Sequence, residues 1–205
     1  MQEEDQANQQ LTHQRIGKAL MTLRFSGTSH QQDSSLPDLG AWQRDGRVVL
    51  LPRGGGDNLI WVTCLARLGL PEFHLLDRED PPATQRRHSM AMAINCRPNC
   101  QAVLTSKRSL DNYFHGDAIK RVLSVDLEVD DDISVIPALA QCIVAGWGNS
   151  LTWAALPQRS RRRWNERLKR WLYTGVLPQL SIEHLNARDP VGEIRGWLQS
   201  IANSA

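Results

Sequence analysis

Residues Pro71–Pro82 read PEFHLLDREDPP. Phe73, Leu75 and Leu76 form a short apolar run, the acids Asp77, Glu79 and Asp80 follow at once, and two prolines close the segment. The pattern predicts a strand over Phe73–Leu76 that delivers carboxylates to the edge of a sheet, a recurrent way to hold a metal or a catalytic acid on a rigid backbone. Asp77 and Glu79 are two apart and share a face if the strand continues. A strand followed by an ordinary polar turn fits the same letters.

Upstream, RVVLL over Arg47–Leu51 reads as a strand that Pro52 ends. Gly54, Gly55 and Gly56 allow a sharp turn, Asp57 or Asn58 can cap a helix over Leu59–Leu68, and Gly69 ends that helix. Arg47–Leu76 is therefore expected to be a strand–helix–strand unit with two parallel strands. The glycines lack both the Walker lysine and the G-x-G-x-x-G spacing. They read as a tight turn, or as an anion site at the helix start beside Arg53.

Downstream, the spacing predicts a helix over Thr84–Ile94, a strand over Gln101–Thr105 and a turn of helix capped by Ser109. A helix capped by Asp117, a second over Val135–Val144 and a third over Ser160–Val176 follow, with Asp189–Pro190 opening a last one. The acids of Asp126–Asp132 read as a solvated loop, and they lack the glycine and terminal glutamate of a calcium loop. At the other end, Leu11–Leu23 carries a short amphipathic pattern and Gly27–Leu39 reads as a linker. The expected organisation is a polar N-terminal arm over 1–46, an α/β core over 47–125 and a helical region over 126–205.

The chain has 205 residues, 41% of them apolar, and 24 basic against 22 acidic groups leave a net charge of +2. Such a balance argues for nucleic acid only through local clusters. Neither a membrane-length apolar run nor a signal-peptide pattern is present, so a cytoplasmic protein with free thiols is expected. Cys96, Cys100 and His88 lack the paired spacing of a zinc knuckle.

Asp77, Glu79 and Asp80 are crowded enough to repel one another unless a cation neutralises them. Magnesium or manganese, which take oxygen ligands, would suit. The bland alternative is a surface loop balanced by Arg78, Arg86 and Arg87. A second group, Lys107, Arg108, Asp111, Asn112 and Tyr113, also follows a strand. In a parallel sheet both groups reach the same edge, where Lys107 or Arg108 could hold a phosphate and Asp111 could complete a metal shell. An ordinary helix start with a buried Tyr113 is the alternative. On Ser160–Val176, Arg161, Arg162, Arg163, Arg167, Lys169 and Arg170 form a basic stripe, either phosphate-contacting or simply solvated.

Three pieces, VVLLPRGGGDNL, FHLLDRED and TSKRSLDNYFHGDAI, together with RRRWNERLKRWLYTGV and DPVGEIRGWLQSI, carry a family resemblance. In order and spacing they resemble the TOPRIM-like (topoisomerase–primase) domain of predicted ATP-dependent endonucleases of the overcoming-lysogenisation-defect type. The resemblance implies a TOPRIM-like parallel sheet flanked by helices, with a helical C-terminal extension. It implies a DNA-cutting activity dependent on magnesium or manganese. The family's Asp-x-Asp falls on Asp77 and Glu79, and its Glu-Asn-Tyr-like motif falls on Asp111, Asn112 and Tyr113. Asp77, Glu79, Asp80 and Asp111 would hold metal, and Lys107 or Arg108 would serve as the basic catalytic residue. The family also starts its fold with a strand ending in glutamate and glycine, and nothing before Arg47 supplies one. Two readings follow: a metal-dependent DNA endonuclease-like protein that is either weak or completed by a partner chain, such as an ATPase or a second copy, or a non-catalytic DNA-binding or protein-interaction module of plasmid or phage-defence origin that kept the fold.

Overall fold

The computed structural model describes residues 19–51, 66–146 and 152–204. The triple glycine, Arg53 and almost all of the helix expected over Leu59–Leu68 lie outside these residues.

Strand β1 (Glu72–Leu76) and strand β2 (Cys100–Leu104) form a parallel pair, in register from Glu72 opposite Cys100 to Leu76 opposite Leu104. Helix α3 (Ala83–Asn95) makes the crossover between them. The side chains alternate as strand geometry requires. Leu76, Cys100, Ala102 and Leu104 meet Ala91 and Ile94 of α3 in a small cluster, while Phe73, Leu75 and Val103 pack against the main core. Both faces are covered, the usual condition of a parallel sheet. Asn95 fixes the end of α3 to β2, its Oδ1 accepting from Ala102 N at 2.6 Å and its Nδ2 donating to Ala102 O at 3.2 Å.

The expected strand over Arg47–Leu51 is not one. Residues 47–51 are irregular, with Val49 73% and Leu51 53% exposed. Their backbone has another use, because Arg47 N donates to Trp42 O at 2.8 Å behind helix α2 (Leu39–Arg44), and the Arg47 guanidinium lies 4.0 Å from the Trp42 ring centre. Among the described residues the parallel unit is therefore β1–α3–β2.

The polar segment expected to be a linker from Gly27 is helical to residue 32. Helix α1, described from residue 19, places Met21 and Phe25 in the core, and Phe25 meets Tyr113 at 6.0 Å. Buried Ser26 Oγ donates to Pro37 O at 2.6 Å and accepts from Leu39 N at 2.7 Å, which folds the chain back.

Beyond the sheet come a 3-10 turn (Leu110–Tyr113), α4 (Gly116–Leu123), α5 (Val135–Ala145) and α6 (Gln158–Trp171), the last running into a π-helical turn (Leu172–Val176). The short α7 (Ile182–Arg188) and α8 (Glu193–Ser204) complete the chain. The Asp189 carboxylate accepts from Glu193 N and Ile194 N at 2.8 Å each, but α8 starts at Glu193, so Pro190, expected in its first turn, lies in a turn ahead of the helix. The start of α4 differs: His115, not Asp117, is its cap, accepting from Asp117 N at 3.2 Å. Gly116 is there because a Cβ would stand 2.7 Å from the Leu127 carbonyl oxygen. Among the described residues the result is a small α/β unit of two parallel strands flanked by helices, with a helical C-terminal region. Among the described residues no helix is long and apolar enough to cross a membrane.

Candidate functional site

Because β1 and β2 are parallel, their C-terminal ends emerge side by side, and the loops beyond them are stitched together. Thr105 N donates to Leu76 O at 2.9 Å, Arg78 N to Thr105 Oγ1 at 3.0 Å, and Glu79 N to Arg108 O at 2.8 Å. Asp77 is only 8% exposed, and its Oδ1 accepts from Leu110 N at 3.1 Å. Glu79 sits at φ 57°, a left-handed backbone uncommon outside glycine and frequent at functional sites. The Glu79 N–H bond to Arg108, and the Thr84 Oγ1 bond to its carbonyl at 2.8 Å, hold it there.

Asp77, Glu79 and Asp111 line one cavity of about 220 Å³. Arg87 from α3, Arg108 and Ser109 from the β2 loop, and Asn165, Lys169 and Tyr173 from α6 and its π turn complete much of the wall. The two groups of acids that the sequence places after the two strands thus line one cavity, and a further part of its wall comes from the C-terminal helices. Tyr173 hydroxyl donates to Asp111 Oδ1. Burial, first, and then the charges of Asp111 and Asp77 raise the Tyr173 hydroxyl well above its ordinary range, so it stays a proton donor.

Arg108 closes part of this site. Its Nε donates to Asp80 Oδ2 at 2.8 Å and its Nη2 lies 3.7 Å from Glu79 Oε2. Asp80 is thereby engaged on the surface and does not line the cavity. Lys107, which the sequence offers as the phosphate-holding residue, is 6% exposed and does not line the cavity either. Its Nζ donates to Asp131 Oδ1 at 2.5 Å and lies 5.3 Å from the Tyr113 ring centre.

The acid loop is only partly solvated. Leu127 and Val129 are buried, Asp131 also pairs with Arg188 at 2.9 Å, and Asp132 pairs with Arg78. Asn112, fully buried, ties the loop in through Nδ2 bonds to Asp130 O at 3.0 Å and Ile133 O at 2.8 Å. Tyr113 is equally buried and donates to Glu193, whose carboxylate also receives Ser106 N at 2.7 Å and Ser106 Oγ at 2.5 Å. Asp-Asn-Tyr is therefore a joint: Asp111 faces the cavity, Asn112 holds the acid loop, and Tyr113 anchors α8.

The basic stripe of α6 divides. Lys169 turns into the cavity wall, Arg162, Arg163 and Arg170 are exposed, and Arg167 lies 5.4 Å and 4.5 Å from the ring centres of Trp164 and Trp171. Arg161 is partly buried.

A different group could hold a metal ion. Among the described residues, His115, Asp117 and His184 are the three whose ligand atoms all lie within 4.8 Å of one another; the carboxylates of the cavity do not approach so closely. Imidazole donors suit zinc, nickel or cobalt better than magnesium. The two rings stack at 4.7 Å, and each Nδ1 already accepts a backbone N–H, from Asp117 and Ser181, at 3.2 Å. Binding a metal through Nε2 would shift those ring protons. The sequence expectation rested on carboxylates alone and missed this cluster, because nothing in the letters brings residue 115 to residue 184.

Comparison of the chain with protein-family models, with curated proteins and with solved structures finds no match.

Proposed function

We propose that this chain is a TOPRIM-like, divalent-metal-dependent DNA endonuclease-like protein whose site is the cavity at the ends of β1 and β2. The observation that carries this reading is the meeting of Asp77, Glu79 and Asp111, which follow two different strands, in one cavity that also holds Arg87, Arg108 and Lys169. All three acids offer oxygen ligands, the donor set that magnesium and manganese prefer. When bound, such an ion would stabilise negative charge on a phosphoryl oxygen. Asp77 and Asp111 would hold it. Glu79 would join them once Arg108 releases its carboxylate. Tyr173 keeps Asp111 oriented.

The salt bridge from Arg108 to Glu79 favours a second reading, in which the chain is a DNA-binding or protein-interaction module that has kept the fold without the chemistry. Both readings allow an ATPase or other protein partner, or a second copy of the chain. Cleavage of supercoiled plasmid in manganese separates them. The hydrolase reading expects nicking by the native protein and none by Asp77→Ala. Equal cutting by the two would remove the proposed site, and no cutting by either would leave the module.

A further inference from the structure

We propose that Lys169, with Asn165 one turn before it, is the phosphate-contacting wall of the cavity, so that the C-terminal helical region forms part of the substrate site. The inference rests on reading the cavity as a nucleic-acid site. The sequence expectation placed the scissile phosphate on Lys107 or Arg108 and counted Lys169 in a basic stripe, either phosphate-contacting or solvated; the cavity singles Lys169 out from that stripe.

Asn165, Lys169 and Tyr173 recur every four residues, and this spacing lays them along one side of α6 and the π turn that continues it. All three line the cavity together with the strand-end acids, and Tyr173 is bonded to one of them, Asp111.

The cations of the cavity wall, and Lys107, which the sequence offered but which lies outside the wall, differ in what already occupies them. Lys107 is bound to Asp131, Arg108 to Asp80 and Glu79, and Arg87 has interactions of its own. Lys169 is half-buried, and among the described residues no hydrogen bond or ion pair engages its ammonium. A phosphate entering a cavity with three carboxylates is repelled by them. It needs a cation whose charge is not already spent, and Lys169 is in that position. Beside it, Asn165 Oδ1 is buried with no hydrogen-bond partner among the described residues, an unspent acceptor one turn from the lysine. A cation and an amide one turn apart suit a nucleotide unit, with phosphate on the lysine and a sugar hydroxyl or base amino group on the amide.

The test is fluorescence anisotropy of a short fluorescein-labelled single-stranded DNA with the full chain, in calcium and at low salt. Lys169→Ala and Lys169→Met should each weaken binding by about tenfold, the size of one charge-assisted hydrogen bond. Lys169→Arg should retain most of the affinity, and Arg44→Ala should retain all of it. The slope of log affinity against log salt should fall by about 0.7 in Lys169→Met, as expected for one lost single-strand phosphate contact. Unchanged affinity in both neutral variants overturns the proposal. So does an equal loss in an Arg162→Ala/Arg170→Ala double variant, which would put the contact on the outer face of α6, and so does absence of binding by the native chain. Native protein that binds through Lys169 yet leaves plasmid intact in manganese refutes the hydrolase and keeps this inference.

Discussion

Replacing Asp131 by asparagine should destabilise the fold without touching the cavity. Lys107 is buried, and its ammonium reaches Asp131 Oδ1 at 2.5 Å, while Arg188 reaches the same oxygen at 2.9 Å. The substitution leaves a buried ammonium facing a neutral amide. A hydrogen bond between charged groups contributes about 1.5–3 kcal/mol. Asp131 is itself 57% exposed, so water and salt take over part of that role, and about 1–2 kcal/mol is the reasonable loss. In a chain of this size the loss lowers the melting temperature by about 2–8 °C. Lys107→Met keeps the apolar stem against Tyr113 and removes the charge, so the double variant should lose less than the sum of the singles.

The pH dependence gives an independent check. The hydrogen bond from Lys107, the largest cause, holds the Asp131 carboxyl below its ordinary value of 3.8, and Lys107 and Arg188 add their charges. The folded value lies below the unfolded one, so this stabilisation is complete above the unfolded value and is lost as pH falls through the folded one. The gap between native protein and Asp131→Asn should therefore narrow below about pH 4. Thermal melts by circular dichroism read all of this. A shift under about 1 °C, or strictly additive single variants, would refute the structural role given to Lys107.

Two further outcomes test the frame around the site. Gly116→Ala should cost about 1–3 kcal/mol, because its Cβ would meet a backbone oxygen 2.7 Å away that cannot swing aside, and an unchanged melting temperature would contradict the packing of α4 on the acid loop. Burial first, with the nearby His184 and Arg188, holds the His115 imidazole below its ordinary 6.5. Its neutral-form stabilisation is then present above that value and lost as pH falls below it. Urea midpoints should drop between about pH 7.5 and 5.5 in the native chain and drop less in His115→Asn, which keeps a capping acceptor. Equal drops would show that the ring is not the group responsible.

The parts of the fold legible in the sequence are those where a local pattern matched the tertiary need. Phe73–Leu76 alternates between two covered faces, so it could be read from the letters, and so could Asp189 as an acceptor at the start of α8, although the helix begins three residues after Pro190. RVVLL has the composition of a strand, yet strand pairing depends on a neighbour. Among the described residues Arg47 instead caps α2 and stacks on Trp42, leaving Val49 and Leu51 in solvent. Residues 27–32 are polar and look like a linker, but Met21 and Phe25 pack in the core and carry the helix past them.

At the site, the shared edge for Asp77, Glu79 and Asp111 followed from parallel strands alone. The fates of Lys107, Arg108 and Asp80 did not, because each is decided by partners distant in sequence or across a loop. The recurrence of Asn165, Lys169 and Tyr173 at every fourth position was visible in the sequence. Charge drew attention to the arginines beside them instead.

The central claim is that chemistry, where it occurs, belongs to the strand-end acids and not to the His115, Asp117 and His184 cluster. The direct measurement is the rate of supercoiled-plasmid nicking in manganese for the native chain, Asp77→Ala and a His115→Ala/His184→Ala double variant, each confirmed folded by circular dichroism. The account predicts nicking by the native chain and the histidine variant and none by Asp77→Ala. Loss of nicking in the histidine variant with retention in Asp77→Ala would contradict it.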